Sequence, residues 1–130
     1  MHTQKARVLI AEDNLQIQVL LSTILEEAGY KVRLAVDGLA ALEEMRTESP
    51  DILLSDLNMP GMSGFELLPI VRDQFPATCV VAMSSAFSGD DLPSEVVADA
   101  FYQKATNIVS LLQIMETMTS LNGCRLAVLN

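Results

Sequence analysis

Five times along this chain, a short apolar run is followed by a segment whose apolar residues have helical spacing. The predicted strands cover about Arg7–Ala11, Lys31–Val36, Asp51–Asp56, Thr78–Met83 and Ala100–Gln103. Runs this short, bounded by polar and turn residues, are typical of strands buried in a parallel sheet, and the polar-apolar alternation of the second indicates an edge strand. Parallel strands need helical crossovers that cover both faces. The pattern therefore predicts a flavodoxin-like (βα)5 α/β sandwich of three layers, with strand order 2-1-3-4-5.

The segments between the strands carry the signals that begin and end helices. Asn14 is a good N-cap for the first helix and Gly29 ends it, while Ser63 and Glu66 have capping-box spacing for the third. The other predicted helices are one over about Leu39–Thr47, a short fourth one near Pro93, and a fifth from about Asn107 to Leu121. The first helix is expected to bury one apolar stripe, formed by Ile17, Leu20, Leu21, Ile24, Leu25 and Ala28.

Length and charge narrow the classes of protein that this chain can belong to. Its 130 residues predict one domain, with a core over about 6–120 and a tail, 121–130, to which no role is assigned. No apolar stretch approaches the roughly 18 residues of a membrane span, and the first residues lack signal-peptide anatomy, so we expect a cytoplasmic protein without membrane contact. A net charge of −9 argues against direct nucleic-acid binding. Cys79 and Cys124 have neither the spacing nor the histidine partners of a zinc site.

Three acidic side chains follow two strands that the predicted order makes neighbours. Glu12 and Asp13 come directly after the first strand, and Asp56 ends the third. Ligands of open α/β sheets bind beyond the carboxyl ends of the strands, and the three charges repel one another there unless they share a cation. Carboxylates and water are the ligands that Mg²⁺ prefers. The sequence therefore predicts an acidic Mg²⁺ pocket.

Two further residues end strands at the same edge, Ser84 after the fourth and Lys104 after the fifth. Together with a metal, these groups suit phosphoryl transfer onto Asp56, since a carboxylate can form a covalent aspartyl-phosphate. Lys104 would contact the transferred group as a point charge, and Ser84 would donate a hydrogen bond to it. The backbone carbonyl of Asn58 is an additional candidate metal ligand, because the Pro60-Gly61 turn is expected to fold over the site.

With these residues in this order, the chain resembles a response-regulator receiver domain of the CheY-like superfamily over about Ala6–Ser120. We expect it to act as a stand-alone receiver. The matching signatures are Leu9-Ile10-Ala11-Glu12-Asp13-Asn14, Asp56-Leu57-Asn58-Met59-Pro60-Gly61-Met62-Ser63-Gly64, Ser84 and Lys104. The resemblance implies that Asp56 accepts a phosphoryl group from a histidine kinase or phosphotransfer protein, with Mg²⁺ bound by Glu12, Asp13 and Asp56. It implies a signalling domain that catalyses only its own phosphorylation and dephosphorylation.

The resemblance also implies a switch built from Ser84 and Phe101. Phosphorylation adds charge and acceptor oxygens at Asp56, and Ser84 would move towards them, vacating space that Phe101 can enter. The face formed by the fourth helix, fifth strand and fifth helix would then contact a downstream protein differently. Any apolar remainder of the fifth helix is a candidate homodimer interface.

One departure from the family pattern keeps other functions open. In most members of the family a proline with a cis peptide bond comes after the lysine, whereas this chain has Ala105. A non-proline cis bond costs roughly 2.5–4 kcal/mol, so we expect a trans bond or a distorted turn after Lys104. Either could displace the Lys104 ammonium. The first alternative is therefore a degenerate receiver that binds a partner without phosphorylation. The second is a phosphatase of haloacid-dehalogenase type, but that family's second aspartate would stand at Asn58 and no cap domain is available.

Overall fold

A single five-stranded parallel sheet organises the residues that this computed structural model describes, which are 6–85, 97–104 and 107–120. Its strand order is β2-β1-β3-β4-β5, which confirms the predicted topology and places β2 at an edge. The strands are β1 (Arg7–Ala11), β2 (Lys31–Ala35), β3 (Ile52–Asp56), β4 (Cys79–Ser84) and β5 (Ala100–Gln103). Each differs by at most one residue at either end from its prediction.

Four helices lie in the described ranges: α1 (Leu15–Glu27), α2 (Gly38–Thr47), α3 (Gly64–Gln74) and α4 (Ile108–Ser120). The last of these is the fifth helix of the prediction. The short helix expected near Pro93, the Lys104–Ala105 bond and the tail 121–130 all fall outside the described residues. No helix in the described part of the chain has the length and apolarity needed to cross a bilayer.

Local side-chain chemistry sets the helix boundaries. Asn14 caps α1, and Gly29, at φ 103°, provides the left-handed residue that ends it. Asp37 caps α2, which was not predicted from the sequence. Ser63 and Glu66 form the complete capping box expected at the start of α3. These caps fix where each helix leaves the carboxyl edge of the sheet.

Alternating side chains of each strand build two apolar layers. On one face Val8, Ile10, Leu54 and Val81 pack with residues of α1 and α4, chiefly Leu21, Leu25, Leu111 and Met115. On the other face Leu9, Leu53 and Val80 pack with residues of α2 and α3, chiefly Met45, Leu67, Leu68 and Val71. The sheet is thus covered on both sides, as parallel strands require.

The buried face of α1 differs from the predicted apolar stripe. Leu20 was expected in the core but is 53% exposed, whereas the polar Gln18 is buried. The burial of Gln18 is compensated because its side-chain amide donates a hydrogen bond to the backbone carbonyl of Glu12. The sheet therefore covers a narrower arc of α1 than its apolar residues occupy.

Candidate functional site at the carboxyl edge of the sheet

Three carboxylates meet where β1 and β3 end. In the parallel register Ala11 lies opposite Ser55, so Glu12 comes next to Asp56. Glu12, Asp13 and Asp56 each offer an oxygen, and these three atoms all lie within 4.8 Å of one another. Glu12 and Asp56 are buried while Asp13 is exposed, so the cluster opens towards solvent on the side of Asp13.

Glu12 is held from several directions. Its backbone N–H donates to the Ala35 carbonyl at 3.0 Å, and its Oε2 accepts from the Asn14 N–H at 3.0 Å. Its Oε1 forms an ion pair with Lys104 Nζ at 2.9 Å, yet no donor among the described residues makes a well-aligned hydrogen bond to this buried oxygen. Burial raises the pKa of Glu12, and the charge of Asp56 adds to this rise, although Lys104 and the Asn14 N–H offset part of it.

Lys104 supplies a positive charge inside the cluster. Its backbone N–H donates to the Ser84 carbonyl at 3.0 Å, which fixes the end of β5, and its Nζ donates to Asp56 Oδ2 at 3.0 Å. Burial lowers the pKa of this ammonium, but its contacts with Glu12 and Asp56 outweigh burial, so the pKa is raised overall. The expectation that Ala105 could displace the ammonium is wrong for this structure, since the side chain reaches both carboxylates.

The turn after β3 joins the phosphoacceptor candidate to the end of β4. The Asn58 N–H donates to Asp56 Oδ1 at 3.1 Å, and the Asn58 side-chain amide lies 3.4 Å from Ser84 Oγ. Ser84 is fully buried at the end of β4, one residue after the register partner of Asp56, and Asn58 contacts both residues, so Ser84 lies in the same crevice as Asp56. The part of the Asn58 carbonyl as a metal ligand stays a prediction.

Gly64 allows α3 to begin directly beneath this turn. A Cβ at this position would lie 2.4 Å from the Asp56 carbonyl oxygen and 2.6 Å from the Leu57 Cα. The Gly64 N–H donates to the Leu57 carbonyl at 3.1 Å. The close approach of two backbone segments, which only glycine permits, therefore positions Asp56 against the first turn of α3.

Phe101 is the second residue of β5 and pairs with Ala82 of β4. It is partly buried and packs against the apolar layer beneath α2 and α3. Its part in a switch stays a prediction.

Gln18, whose side chain contacts the Glu12 carbonyl, is a residue near the site that was not predicted from the sequence. Its only sequence signal was a polar residue that interrupts the apolar face of α1 four positions after the N-cap.

A 2-1-3-4-5 parallel sheet that carries three carboxylates, a hydroxyl and an ammonium at its carboxyl edge defines a signalling domain of the receiver class. The model of the response regulator receiver domain family matches residues 8–116, and the chain belongs to this family. It is therefore a receiver domain of two-component signal transduction, a class of domain that interacts with histidine kinases or phosphotransfer proteins.

Relatives share this domain in different settings. The chain is 35% identical over 103 residues to a protein-glutamate methylesterase/protein-glutamine glutaminase of Anaeromyxobacter dehalogenans; the match covers 79% of this chain but only 28% of that protein. It is 32% identical to the chemotaxis response regulator CheY4 of Vibrio cholerae, with a TM-score of 0.81 over 89% of this chain and 99% of that one. It is also 28% identical to the response regulator TrrA of Thermotoga maritima, solved with Mg²⁺ and BeF, with a TM-score of 0.78 over 86% and 97% of the two chains.

Proposed function

We propose that Asp56 accepts a phosphoryl group from a histidine kinase or phosphotransfer protein in a Mg²⁺-dependent reaction, and that phosphorylation changes how the domain binds a partner. The observation that carries this proposal is the placement of the Asp56 carboxylate beside those of Glu12 and Asp13, with the Lys104 ammonium in contact with both Glu12 and Asp56. This arrangement supplies a nucleophile, hard oxygen ligands and a fixed positive charge within one crevice.

The residues present fit a divalent cation. Glu12, Asp13 and Asp56 would hold it, with the Asn58 carbonyl as an additional ligand. Glu12 Oε1 is buried and forms an ion pair with the Lys104 ammonium at 2.9 Å, so this oxygen already faces a positive charge. Oxygen donors of this type select Mg²⁺ over softer metals. When bound, Mg²⁺ would supply charge neutralisation of the phosphoryl oxygens.

The side chains around Asp56 have separate tasks in the transfer. An O–P bond forms at the Asp56 carboxylate while the N–P bond of a phosphohistidine donor breaks, and the donor imidazole keeps the electron pair. The Lys104 ammonium, now 3.0 Å from Asp56 Oδ2, can donate to the new phosphoryl oxygens. Ser84 is buried beside Asn58 and would turn its hydroxyl towards the same oxygens.

A groove between β5 and α4 supports the placement of the output face. It has a volume of about 780 Å³ and is lined by Phe101, Gln103, Gln113, Ile114 and Met118, among others. Phe101 joins this groove to the layer beneath α2 and α3, so a change in its packing would alter the groove. We propose that a downstream protein reads the phosphorylation state here.

We also infer that the domain has no phosphatase turnover of the haloacid-dehalogenase type. The general acid/base of such an enzyme would stand at Asn58, whose side-chain amide cannot exchange a proton in this way and donates to Ser84 Oγ, while its backbone N–H donates to Asp56. Lys104 stays in contact with Asp56 despite Ala105, which counts against a degenerate receiver.

Intact-mass measurement after incubation with Mg²⁺ and acetyl phosphate tests the phosphorylation. The parent should gain one phosphoryl group, and Asp56→Asn should gain none. Asp51→Asn is the matched control, because Asp51 precedes the same strand at the opposite end of the sheet, and it should be phosphorylated like the parent. A parent that gains no mass with Mg²⁺, or an Asp56→Asn variant that does, would show that the proposed reaction is wrong.

A further inference from the structure

Gln18 is a buried polar side chain that takes no direct part in the proposed metal pocket or phosphoryl chemistry. It is 5% exposed, on the face of α1 that packs against the sheet. Its Nε2 lies 2.5 Å from the backbone carbonyl oxygen of Glu12 and donates a hydrogen bond to it. The buried amide of Gln18 is thus hydrogen-bonded to the backbone of Glu12, a candidate metal ligand.

Gln18 closes the segment 12–14 against the first turn of α1. Its backbone N–H donates to the Asn14 carbonyl at 2.9 Å, while its side chain holds the Glu12 carbonyl. On the other side, the Glu12 N–H is bonded to Ala35 and the Glu12 carboxylate accepts from the Asn14 N–H. Asp13 lies between these fixed points, so the same contacts restrict where its exposed carboxylate can go.

We propose that Gln18 is a positioning residue that sets the Mg²⁺ affinity of this domain by holding Glu12 and Asp13 in ligand geometry; the proposal rests on the Mg²⁺-dependent function above. Groups that hydrogen-bond to metal ligands orient them, and their loss weakens metal binding although every ligand is still present. Asp56, Lys104 and both acidic ligands remain in Gln18 variants. Excess Mg²⁺ should therefore restore full phosphorylation.

If Gln18 had only a structural role, loss of a comparable buried hydrogen bond elsewhere should affect Mg²⁺ binding equally. Thr78 provides the matched control for this comparison. Thr78 is 2% exposed and donates from Oγ1 to the Pro50 carbonyl at 2.9 Å. This is the same kind of buried side-chain-to-carbonyl bond, but it lies at the opposite end of the sheet from the carboxylates. Thr78→Val removes it with little change in shape, as Gln18→Met removes the bond to Glu12.

Calorimetric titration of the full chain with Mg²⁺ tests the proposal. Gln18→Met and Gln18→Asn, whose amide is one methylene too short to reach the carbonyl, should each raise the Mg²⁺ dissociation constant about tenfold. Thr78→Val should leave it within about twofold of the parent. With acetyl phosphate as donor, the Mg²⁺ concentration for half-maximal phosphorylation should rise by the same factor in the Gln18 variants, while the maximal extent stays that of the parent.

Several results would overturn the role of Gln18. A folded Gln18→Met variant with the parent's dissociation constant would do so, as would an equal weakening in Thr78→Val. If Gln18→Met does not unfold cooperatively, Gln18→Asn decides by the same criteria, and failure of both to fold would make Gln18 structural. A parent that binds no Mg²⁺ would overturn the proposed function together with this inference, whereas a binding parent with unaffected variants would overturn the inference alone.

Discussion

The Lys104 ammonium is the cation that contacts both buried carboxylates, those of Glu12 and Asp56, in the described part of the chain. In Lys104→Met the charges of Glu12 and Asp56 lose that partner, and one buried charge without its partner is strongly destabilising. We expect the free energy of unfolding in EDTA to fall by about 3 kcal/mol. Saturating Mg²⁺ should recover part of this loss, because it replaces the missing cation. Urea unfolding with and without Mg²⁺ measures both quantities.

The pH dependence of this effect follows from the raised pKa of Lys104. A base whose pKa is higher in the folded than in the unfolded protein contributes stability that is fully present below the unfolded pKa and disappears as the pH rises through the folded one. The loss in Lys104→Met should thus be constant at neutral pH and shrink in strong alkali. Lys31→Met, at the exposed start of β2, is the control. An equal loss in both lysine variants would contradict this account.

Two backbone segments approach each other closely where α3 begins, and Gly64 is the residue that tests this contact. In Gly64→Ala the added Cβ would meet backbone atoms of Asp56 and Leu57 at 2.4 and 2.6 Å, so the turn or the helix must shift. We expect a loss of at least about 2 kcal/mol in urea unfolding, together with weaker Mg²⁺ binding. Gly61→Ala, where nothing lies within 4 Å but φ is 72°, should cost only about 1 kcal/mol. A larger loss at Gly61 would contradict this explanation.

Element boundaries were predictable because their causes are local. The bounds of β1 and β5 and the caps at Asn14 and Ser63 follow from short apolar runs and side chains that bond their own backbone. Convergence of the carboxylates was also predictable, since it needs only the strand order. The burial of Gln18 in place of Leu20 was not, because it depends on where the Glu12 carbonyl lies in the folded chain.

Contacts between side chains that are distant along the chain were not predictable from the sequence, because they too depend on the folded structure. The double contact of Lys104 depends on the reach of one side chain across two strands. The ion pair of Arg72 and Asp99, at 3.2 Å, likewise joins α3 to the residue before β5. Asp99 also accepts from the Val80 N–H at 2.8 Å and so fixes how β5 begins against β4. Such pairs need coordinates, because no spacing along the chain specifies them.

For the molecule as a whole, we expect the acidic pocket to couple metal binding to folding. A ligand that binds only the folded state stabilises it by mass action, by about 2.7 kcal/mol at a free concentration one hundred times its dissociation constant. Three carboxylates within 4.8 Å exist only after β1 and β3 have paired, so the unfolded chain should have little affinity for Mg²⁺. The domain should accordingly become more stable as Mg²⁺ is added.

Asp13→Asn tests this coupling with the least disturbance of the fold. Asp13 is exposed, so without Mg²⁺ the free energy of unfolding of Asp13→Asn should stay within about 0.5 kcal/mol of the parent's. The contacts of Lys104 with Glu12 and Asp56 remain in place in this variant. Its gain in stability with Mg²⁺ should be largely lost, because one of three charged ligands is gone. Asp73→Asn, an exposed aspartate near the end of α3, should keep the parent's gain. Urea unfolding over a series of Mg²⁺ concentrations measures this, and an Asp13→Asn variant with the full gain would place the cation elsewhere.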